Sequence, residues 1–281
     1  MANNIALFKR YISLLDEVYK LASVTSVLDG ANEVMHAGAN ANEIVIPMIE
    51  LSGMAPYDRS TGYVQGDVTL TNQTVICNYD RGRMFQVDAL DDAETAGIAF
   101  GRLAGEFIRA KVAPEIDAFR IVAYASSTGI GSETGTLETG KEVIEAIRVA
   151  TNTLDEGEVP DSERYLFITP SLYGLIQDMD TTTSRMVMER FVKTILVPQT
   201  RMNTEITLGD GFSAEGDAVN FLVIHKPAVI QYQKHVDPKI ITPQQNQDAD
   251  AWKFGYHNVG VAYVYEKKRV GIYAHIANET D

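Results

Sequence analysis

Cysteine is almost missing: Cys77 is the one cysteine in 281 residues, so no intrachain disulfide can form. That fits a reducing compartment. Long apolar runs are missing as well. No stretch approaches the roughly 20 residues of a membrane-spanning helix, and no membrane partner is expected. Positive charge is scarce: 24 Lys and Arg stand against 38 Asp and Glu, a formal net charge of −14. This argues against a DNA reader that works through phosphate contacts and suits a surface that avoids sticking to nucleic acid. Lysine is absent from Leu21 through Ala110. A secretion signal is not expected, because Lys9, Arg10, Asp16 and Glu17 interrupt any apolar core near the start.

Catalytic and ligand-binding signatures are also weak. The five histidines are His36, His225, His235, His257 and His275. None lies at i,i+4 from another, and Cys77 has no nearby His or Cys, so no metal site is expected. Gly135 to Lys141 (GTLETGK) matches the first seven positions of a P-loop, but Glu142 follows where Ser or Thr must hold magnesium. A carboxylate there repels phosphate, and the simpler reading is a helix N-terminus capped by Thr139. Gly129 to Gly135 has the wrong spacing for a dinucleotide fingerprint. Ser126, Ser127 and Ser171 lack a nucleophile-elbow context. No catalytic residue, cofactor or enzymatic activity is expected. The alternative of a different class, a nucleotide-binding enzyme using Gly135–Lys141, rests on that partial motif alone.

What is present is a long helical pattern. Gln86 to Ala125 reads as one spine. It opens on Asp88, Asp91, Asp92 and Glu94, which suit unpaired N–H groups and the positive end of the helix dipole, with Asp91 or Asp92 as N-cap. Phe100, Leu103, Ala104, Phe107, Ile108 and Val112, then Ile116, Phe119, Val122 and Ala123, form one stripe. Pro114 should kink the helix or start a second one. Gly97, Gly101 and Gly105 suggest close approach by another backbone.

Ahead of the spine, Ile5 to Ala22 reads as an amphipathic helix suited to packing on a partner or subunit, and Ser23 to Asn42 as an arm or loop. Ile44 to Leu51 reads as a strand whose Pro47 suggests an edge. A Gly/Pro/Asp/Ser-rich tip follows, then a strand Thr69 to Asp80 with Val75, Cys77 and Tyr79 on one face. This extended hairpin is too polar to form a core, and such a hairpin usually lies on something else. Beyond the spine, Ser126 to Gly140 has the composition of a flexible linker. Lys141 to Leu154 reads as a helix, Arg164 to Thr169 as a buried strand, and Pro170 as the start of another helix. Further strands are expected at 194–197, 221–225, 229–233, 252–266 and 271–276. The class is α+β, without regular βαβ alternation.

One feature is specific, and it is an order of segments. GYVQGDVTLTNQTVICNYDRGRMFQVDALDDAET, then the spine with PEIDAFR, resembles the hairpin and spine of tailed-bacteriophage major capsid proteins, the Hong Kong-type phage capsid fold. VPDSERYLFITPSLYGLIQ, ILVPQTRM and the stretch from NFLVIHKPAVI to KKRVGIYAHI are similar to that family in the same order. The resemblance implies an N-terminal arm at 1–43 and an extended loop at 44–87. It implies a peripheral domain at 88–125 and 241–266 with the spine helix, and an axial domain at 126–240 and 267–281. It implies a structural head protein in the virion, made in the host bacterial cytoplasm. That protein self-assembles into homo-pentamers and homo-hexamers of an icosahedral shell around double-stranded DNA, without sequence-specific contacts. A scaffolding protein and a portal are implied partners. A cellular encapsulin-like nanocompartment shell is the alternative within the fold. Some members crosslink a loop lysine to an asparagine of another subunit; with no lysine before Lys111 in that region, a noncovalent shell is expected here. Arg81, Arg83, Asp88, Asp91, Asp92 and Glu94, with Tyr57 and Arg59 of the hairpin tip, are the candidate assembly contacts. The arginines are expected to pair with those acids in the same or an adjacent subunit.

Overall fold

The computed structural model describes residues 22–30, 36–37, 43–60, 62–94, 98–179 and 181–278. The expected N-terminal helix, apart from Ala22, lies outside them, as do Thr95, Gly97 and the side chain of Glu94.

Twelve strands among the described residues build three sheets. β1 (His36–Ala37), β2 (Glu43–Leu51) and β3 (Val68–Ile76) form the hairpin sheet, with Glu43 opposite Ile76 and Leu51 opposite Val68. Among the described residues β1 reaches Ile44 and Val45, and Pro47 has one strand neighbour, β3, through Asn72, in keeping with a residue that has no N–H to give a second strand. The strand expected to run unbroken to Asp80 ends at Ile76, and β4 (Tyr79–Asp88) starts anew in a different sheet. Asn78 explains the switch. Its side-chain amide donates to Ala262 O (3.0 Å) and accepts from Ala262 N (3.1 Å), taking the place of a strand's peptide group beside the pairing of Gly260 with Tyr79.

The second sheet orders β10 (Val229–Ile241), β11 (Ala251–Val264) and β4, all antiparallel. The spine lies across it. β4 continues as strand to Asp88, so the helix opens later than Gln86, at α1 (Ala89–Glu94). The cap is Asp88, whose Oδ1 accepts from Leu90 N at 2.8 Å, rather than Asp91 or Asp92, which sit in the first turn. Then come α2 (Ile98–Phe107), a π-turn (Ile108–Val112) and α3 (Ala113–Ala125). Pro114 accounts for the π-turn. It has no N–H to donate, and its ring crowds the carbonyl four residues back. The ladder slips by one residue, so that Ala113 N–H donates to Ile108 O, and the helix goes on. Ala104, Ile108, Val112 and Ile116 pack on Tyr79, Phe254 and Tyr256. Among the described residues no atom outside the helix's own backbone comes within 4 Å of where a Cβ would stand on Gly105, so the expected close approach by another backbone is not found there.

The third sheet has six strands, in the order β5 (Gly131–Thr134), β12 (Ile272–Ile276), β9 (Gly211–His225), β6 (Arg164–Ile168) and β7 (Lys193–Leu196), with β8 (Asn203–Gly209) paired to β9. The segment read as a linker thus contains β5, held parallel to β12, and Ile130 and Leu137 beside it pack on the cores. One face of the sheet meets α3 through Ile121, Tyr124, Phe167, Leu222 and Ile224. The other meets α4 (Gly140–Glu156), α5 (Pro170–Met179) and α6 (Thr182–Met188) through Val143, Ile147, Leu166, Ile168 and Phe191. α4 and α5 touch backbone to backbone at Gly140, where a Cβ would sit 2.2 Å from Leu175 O and 2.8 Å from Met179 Sδ. Gly140→Ala should therefore lose about 1–3 kcal/mol through overpacking, read as a lower urea midpoint at unchanged slope. A wild-type midpoint would show that the helices can part freely.

Two histidines in this sheet are buried, His225 and His275. Burial lowers both pKa values, with Glu163 opposing it at His225 and Glu133 opposing it at His275. The His275 ring stacks on Phe221 at 5.2 Å, and Asn220 Nδ2 donates to its Nδ1 at 3.0 Å. A folded-state pKa below the unfolded value, about 6.5, means the unfolded chain binds more protons on acidification. Their contribution is complete above about pH 6.5 and is lost as pH falls through the folded values. A melting-temperature series from pH 8 to 5 should fall less steeply for His275→Gln than for wild type; parallel curves would show that His275 takes no part.

Candidate assembly surfaces

The hairpin is a projection with little of its own to bury. At its base Ile46 and Val75 pack on Ile230 and Val261, and Lys267 Nζ pairs with Glu50 Oε1 at 2.6 Å. Outward of that, the apolar side chains face solvent: Leu51 is 70% exposed, Tyr63 89%, and Met54, Tyr57, Val64, Val68 and Leu70 are exposed as well. The tip is therefore less polar in effect than its composition suggests, because the Ser, Asp and Gly residues make the turns. Ser52 and Asp67 close the loop by Asp67 N to Ser52 Oγ (2.8 Å) and Ser52 N to Asp67 O (3.0 Å). Asp58 accepts from Ser60 N and Oγ at 2.7 and 2.6 Å, which leaves Arg59 exposed in that turn. Tyr57 and Tyr63 contact each other with ring centroids 4.9 Å apart.

The two arginines expected to meet the acids at the helix start have other partners within the chain. Arg81 Nε lies 2.9 Å from Glu115 Oε1 on α3, and its Nη2 donates to Gly209 O (2.8 Å) and Gly211 O (3.2 Å). It ties β4 to the spine and to the β8–β9 turn. The Glu115 carboxylate raises the Arg81 pKa above its ordinary value. Tyr79 OH also donates to Glu115 (3.1 Å), and burial, then the Glu115 charge, pushes that phenol well up. Arg83 Nη2 pairs with Asp210 Oδ1 at 2.5 Å on the same turn, with both side chains exposed. Glu115 and Asp210 lie far along the chain from β4, so charge proximity in sequence did not point to them.

A buried polar cluster roots the N-terminal segment, and it went unnoticed in the sequence. Asp117, fully buried on α3, accepts from Ser23 Oγ (2.7 Å), Val24 N (3.0 Å), Thr25 N (3.1 Å) and Thr25 Oγ1 (2.6 Å), and Arg201 Nη1 stands 3.2 Å away. Arg120 Nη1 donates to Thr25 Oγ1 at 3.0 Å. Gln231 Nε2 donates to Thr25 O and Asp29 Oδ1, while its Oε1 accepts from Tyr124 OH at 2.8 Å. The 3₁₀ turn Thr25–Leu28 is pinned by these bonds, with Leu28 in the core.

The P-loop-like stretch is a capping box. Glu142 N donates to Thr139 Oγ1 (3.3 Å), and the Glu142 carboxylate accepts from Glu138 N (2.9 Å) and Thr139 N (3.1 Å). Those bonds lower the Glu142 pKa. Two of the N–H groups at this helix start, those of Glu138 and Thr139, are thus taken by the chain's own carboxylate, which also repels a phosphate there.

No protein-family model and no curated protein matches the sequence. Solved structures do match. A chain from Gordonia phage Cozz superposes with TM-score 0.64 at 11% identity, covering 92% of this chain and 87% of that one. A chain from the mature capsid of bacteriophage PhiM1 gives 0.58 at 11%, covering 86% and 83%. A chain of the virus-like particle from Pyrococcus furiosus gives 0.56 at 13%, covering 96% and 99%. The class is therefore set by architecture: this chain has the Hong Kong-type phage capsid fold, mixed helix and sheet, over most of its length.

Proposed function

We propose that the chain is the major capsid protein of a tailed bacteriophage, a shell subunit that assembles with copies of itself. The observation that carries this is the hairpin, a long projection whose outer apolar side chains are exposed, on a fold similar to that of the PhiM1 mature capsid chain. Monomeric proteins rarely leave such a patch open, and neighbouring copies are the natural cover. Pentamers and hexamers closing into an icosahedral shell follow, with head-to-tail contacts that close as rings. Double-stranded DNA without sequence-specific contacts is the proposed content, and a scaffolding protein and portal the proposed partners. The product belongs to the virion and is made in the bacterial cytoplasm. As a shell subunit it has no need of catalysis. In this reading the six-stranded sheet is the axial domain. The β10–β11–β4 sheet with the spine is the peripheral one, whose boundary is better placed before Val229, since β10 pairs with β11 along its length. Arg83, Asp88, Asp91, Asp92, Glu94, Tyr57 and Arg59 are proposed contacts between subunits; Arg81 contributes by holding the Gly209–Gly211 turn in place.

Likeness to the Pyrococcus virus-like particle over nearly the whole of both chains favours a second reading, a nanocompartment with protein cargo. Electron microscopy of the expressed chain tests both. Closed shells are expected; a small soluble particle at every concentration would refute either reading. Nuclease-protected DNA in particles from infected cells decides for the capsid, and co-purifying enclosed protein decides for the compartment. Particles boiled in reducing detergent should give a single monomer band, and a ladder would refute the noncovalent shell.

A further inference from the structure

One face of the β10–β11–β4 sheet packs on the spine through Phe254 and Tyr256. The other carries a polar cluster drawn from all three strands. The register sets His235 opposite Val259 and Val259 opposite Asp80, with Asp237 opposite His257 one step along. Directly opposed residues and residues two apart share a face, so His235, Asp237, His257 and Asp80 stand together around Val259. A β-bulge brings this about. Gln233 is paired with Gly260, so a regular ladder would set Lys234 against Val259; the register shifts by one and His235 takes that place, as bulges re-aim a side chain. The two imidazoles touch, with ring centroids 5.6 Å apart at 65°. His257 Nε2 lies 2.7 Å from Asp80 Oδ1. His235 Nε2 lies 3.9 Å from Asp237 Oδ2, which also pairs with Lys239 at 3.1 Å. The side chains of His235, His257 and Asp80 are 54%, 48% and 65% exposed, so core packing does not account for the contact, and an ion can reach them from solvent.

We propose that His235, His257 and Asp80 bind a divalent transition metal of zinc's kind, with Asp237 supplying the second negative charge. Two imidazoles and carboxylate oxygen are donors that zinc takes. The strand spacing suits it as well. Neighbouring strands lie about 4.8 Å apart, so β10 and β4 stand about 10 Å apart with β11 between. A His and an Asp reaching inward close that gap over an ion held about 2 Å from each donor. As the side chains stand, no three donors converge on one point among the described residues, because His257 is spent on Asp80 and His235 leans to Asp237. Two moves gather them. An ion entering between His257 Nε2 and Asp80 Oδ1 widens their 2.7 Å contact to about 3.3 Å, the separation of two tetrahedral donors. His235 turns about its side-chain bonds to supply the third. The bound ion then staples β4, the strand that leads out of the hairpin, to β10 across β11. His257 and Asp80 are 177 positions apart in the chain, so spacing in sequence gives no sign of the site. The inference does not rest on the shell reading, since it concerns the single chain.

The test is calorimetric titration of the full chain, below its assembly concentration, with zinc chloride. One ion per chain is expected. Binding should weaken at least tenfold in each of His235→Gln, His257→Gln and Asp80→Asn, which fold as wild type does because the side chains are on the surface. In nitrogen-edited NMR, zinc should shift the imidazole signals of His235 and His257 and leave those of the buried His225 and His275 in place. Magnesium should not displace it, since imidazole suits that ion poorly. Absence of binding at millimolar zinc overturns the proposal, as does zinc affinity that survives in both histidine variants. Magnesium that competes with zinc would make this a carboxylate site and likewise overturns it. So does one ion shared by two chains, read as zinc-dependent dimerisation.

Discussion

Asp117→Ala should unfold more readily than wild type by about 3–5 kcal/mol, the usual consequence of removing one partner from a buried charged pair. The carboxylate accepts four hydrogen bonds from Ser23, Val24 and Thr25 and faces the Arg201 guanidinium from a fully buried position. Alanine leaves two backbone N–H groups and two hydroxyls without that acceptor, and a guanidinium without its counter-charge. Each unpaired buried group carries a penalty of about 1–3 kcal/mol; water entering the space offsets part of the sum. Asp117→Asn keeps the shape and one acceptor oxygen but presents an NH₂ toward donors, so it should fall between the two. The measurement is urea unfolding with amide hydrogen exchange over residues 22–30, and exchange there should rise before the rest of the fold opens. Wild-type protection of Val24 and Thr25 in Asp117→Ala would show that the turn is held by Leu28 and the Gln231 bonds alone.

That cluster also marks where sequence reading stopped. Periodicity reports on neighbours along one element, and it gave the spine, the helix at Gly140–Glu156, the buried strand Arg164–Ile168 and the turn-rich hairpin. Cap chemistry is equally local, so Thr139 is legible as a cap and Glu142 as a departure from a phosphate loop, while the part Glu142 plays in the capping box comes from the structure. Contacts at long separation leave no such trace. Ser23 meets Asp117 across 94 positions, and Thr25 meets Gln231 across 206. Nearness in sequence pairs Arg81 with acids a few residues away, whereas the fold brings Glu115 to it from α3, 34 positions on. Strand β5 was hidden for a related reason: four small and polar residues become a strand only because the edge of β12 stands beside them. The break at Cys77–Asn78 depends on an amide replacing a peptide group on β11, which no β-propensity expresses. The order of segments carried the fold even so, because each segment's local character survives where its individual partners cannot be read.

Exchange of Tyr63 and Val64 for aspartate should abolish shell formation at wild-type working concentrations and leave the melting temperature of the subunit within about 2–4 °C. Both side chains are exposed at the tip, and the nearest internal contact, Tyr57 with Tyr63, is itself on the surface; surface changes of this kind move stability by no more than about 0.5 kcal/mol. Against a neighbour the account is different. Full burial of a large apolar side chain is worth about 1.5–3 kcal/mol, so two of them withdraw about 3–6 kcal/mol from every contact. With 1.4 kcal/mol to a factor of ten, that weakens each contact by roughly 10²–10⁴. A buried, unpaired carboxylate in their place weakens it further. Sedimentation of the variant over a concentration series should show folded, unassembled chain where wild type forms particles. Tyr63→Phe, which keeps the apolar area, should assemble near the wild-type threshold and shows whether the hydroxyl matters separately. Shells of Tyr63→Asp with Val64→Asp at the wild-type threshold would mean that the tip lies in solvent in the assembled state and that the subunits are joined elsewhere.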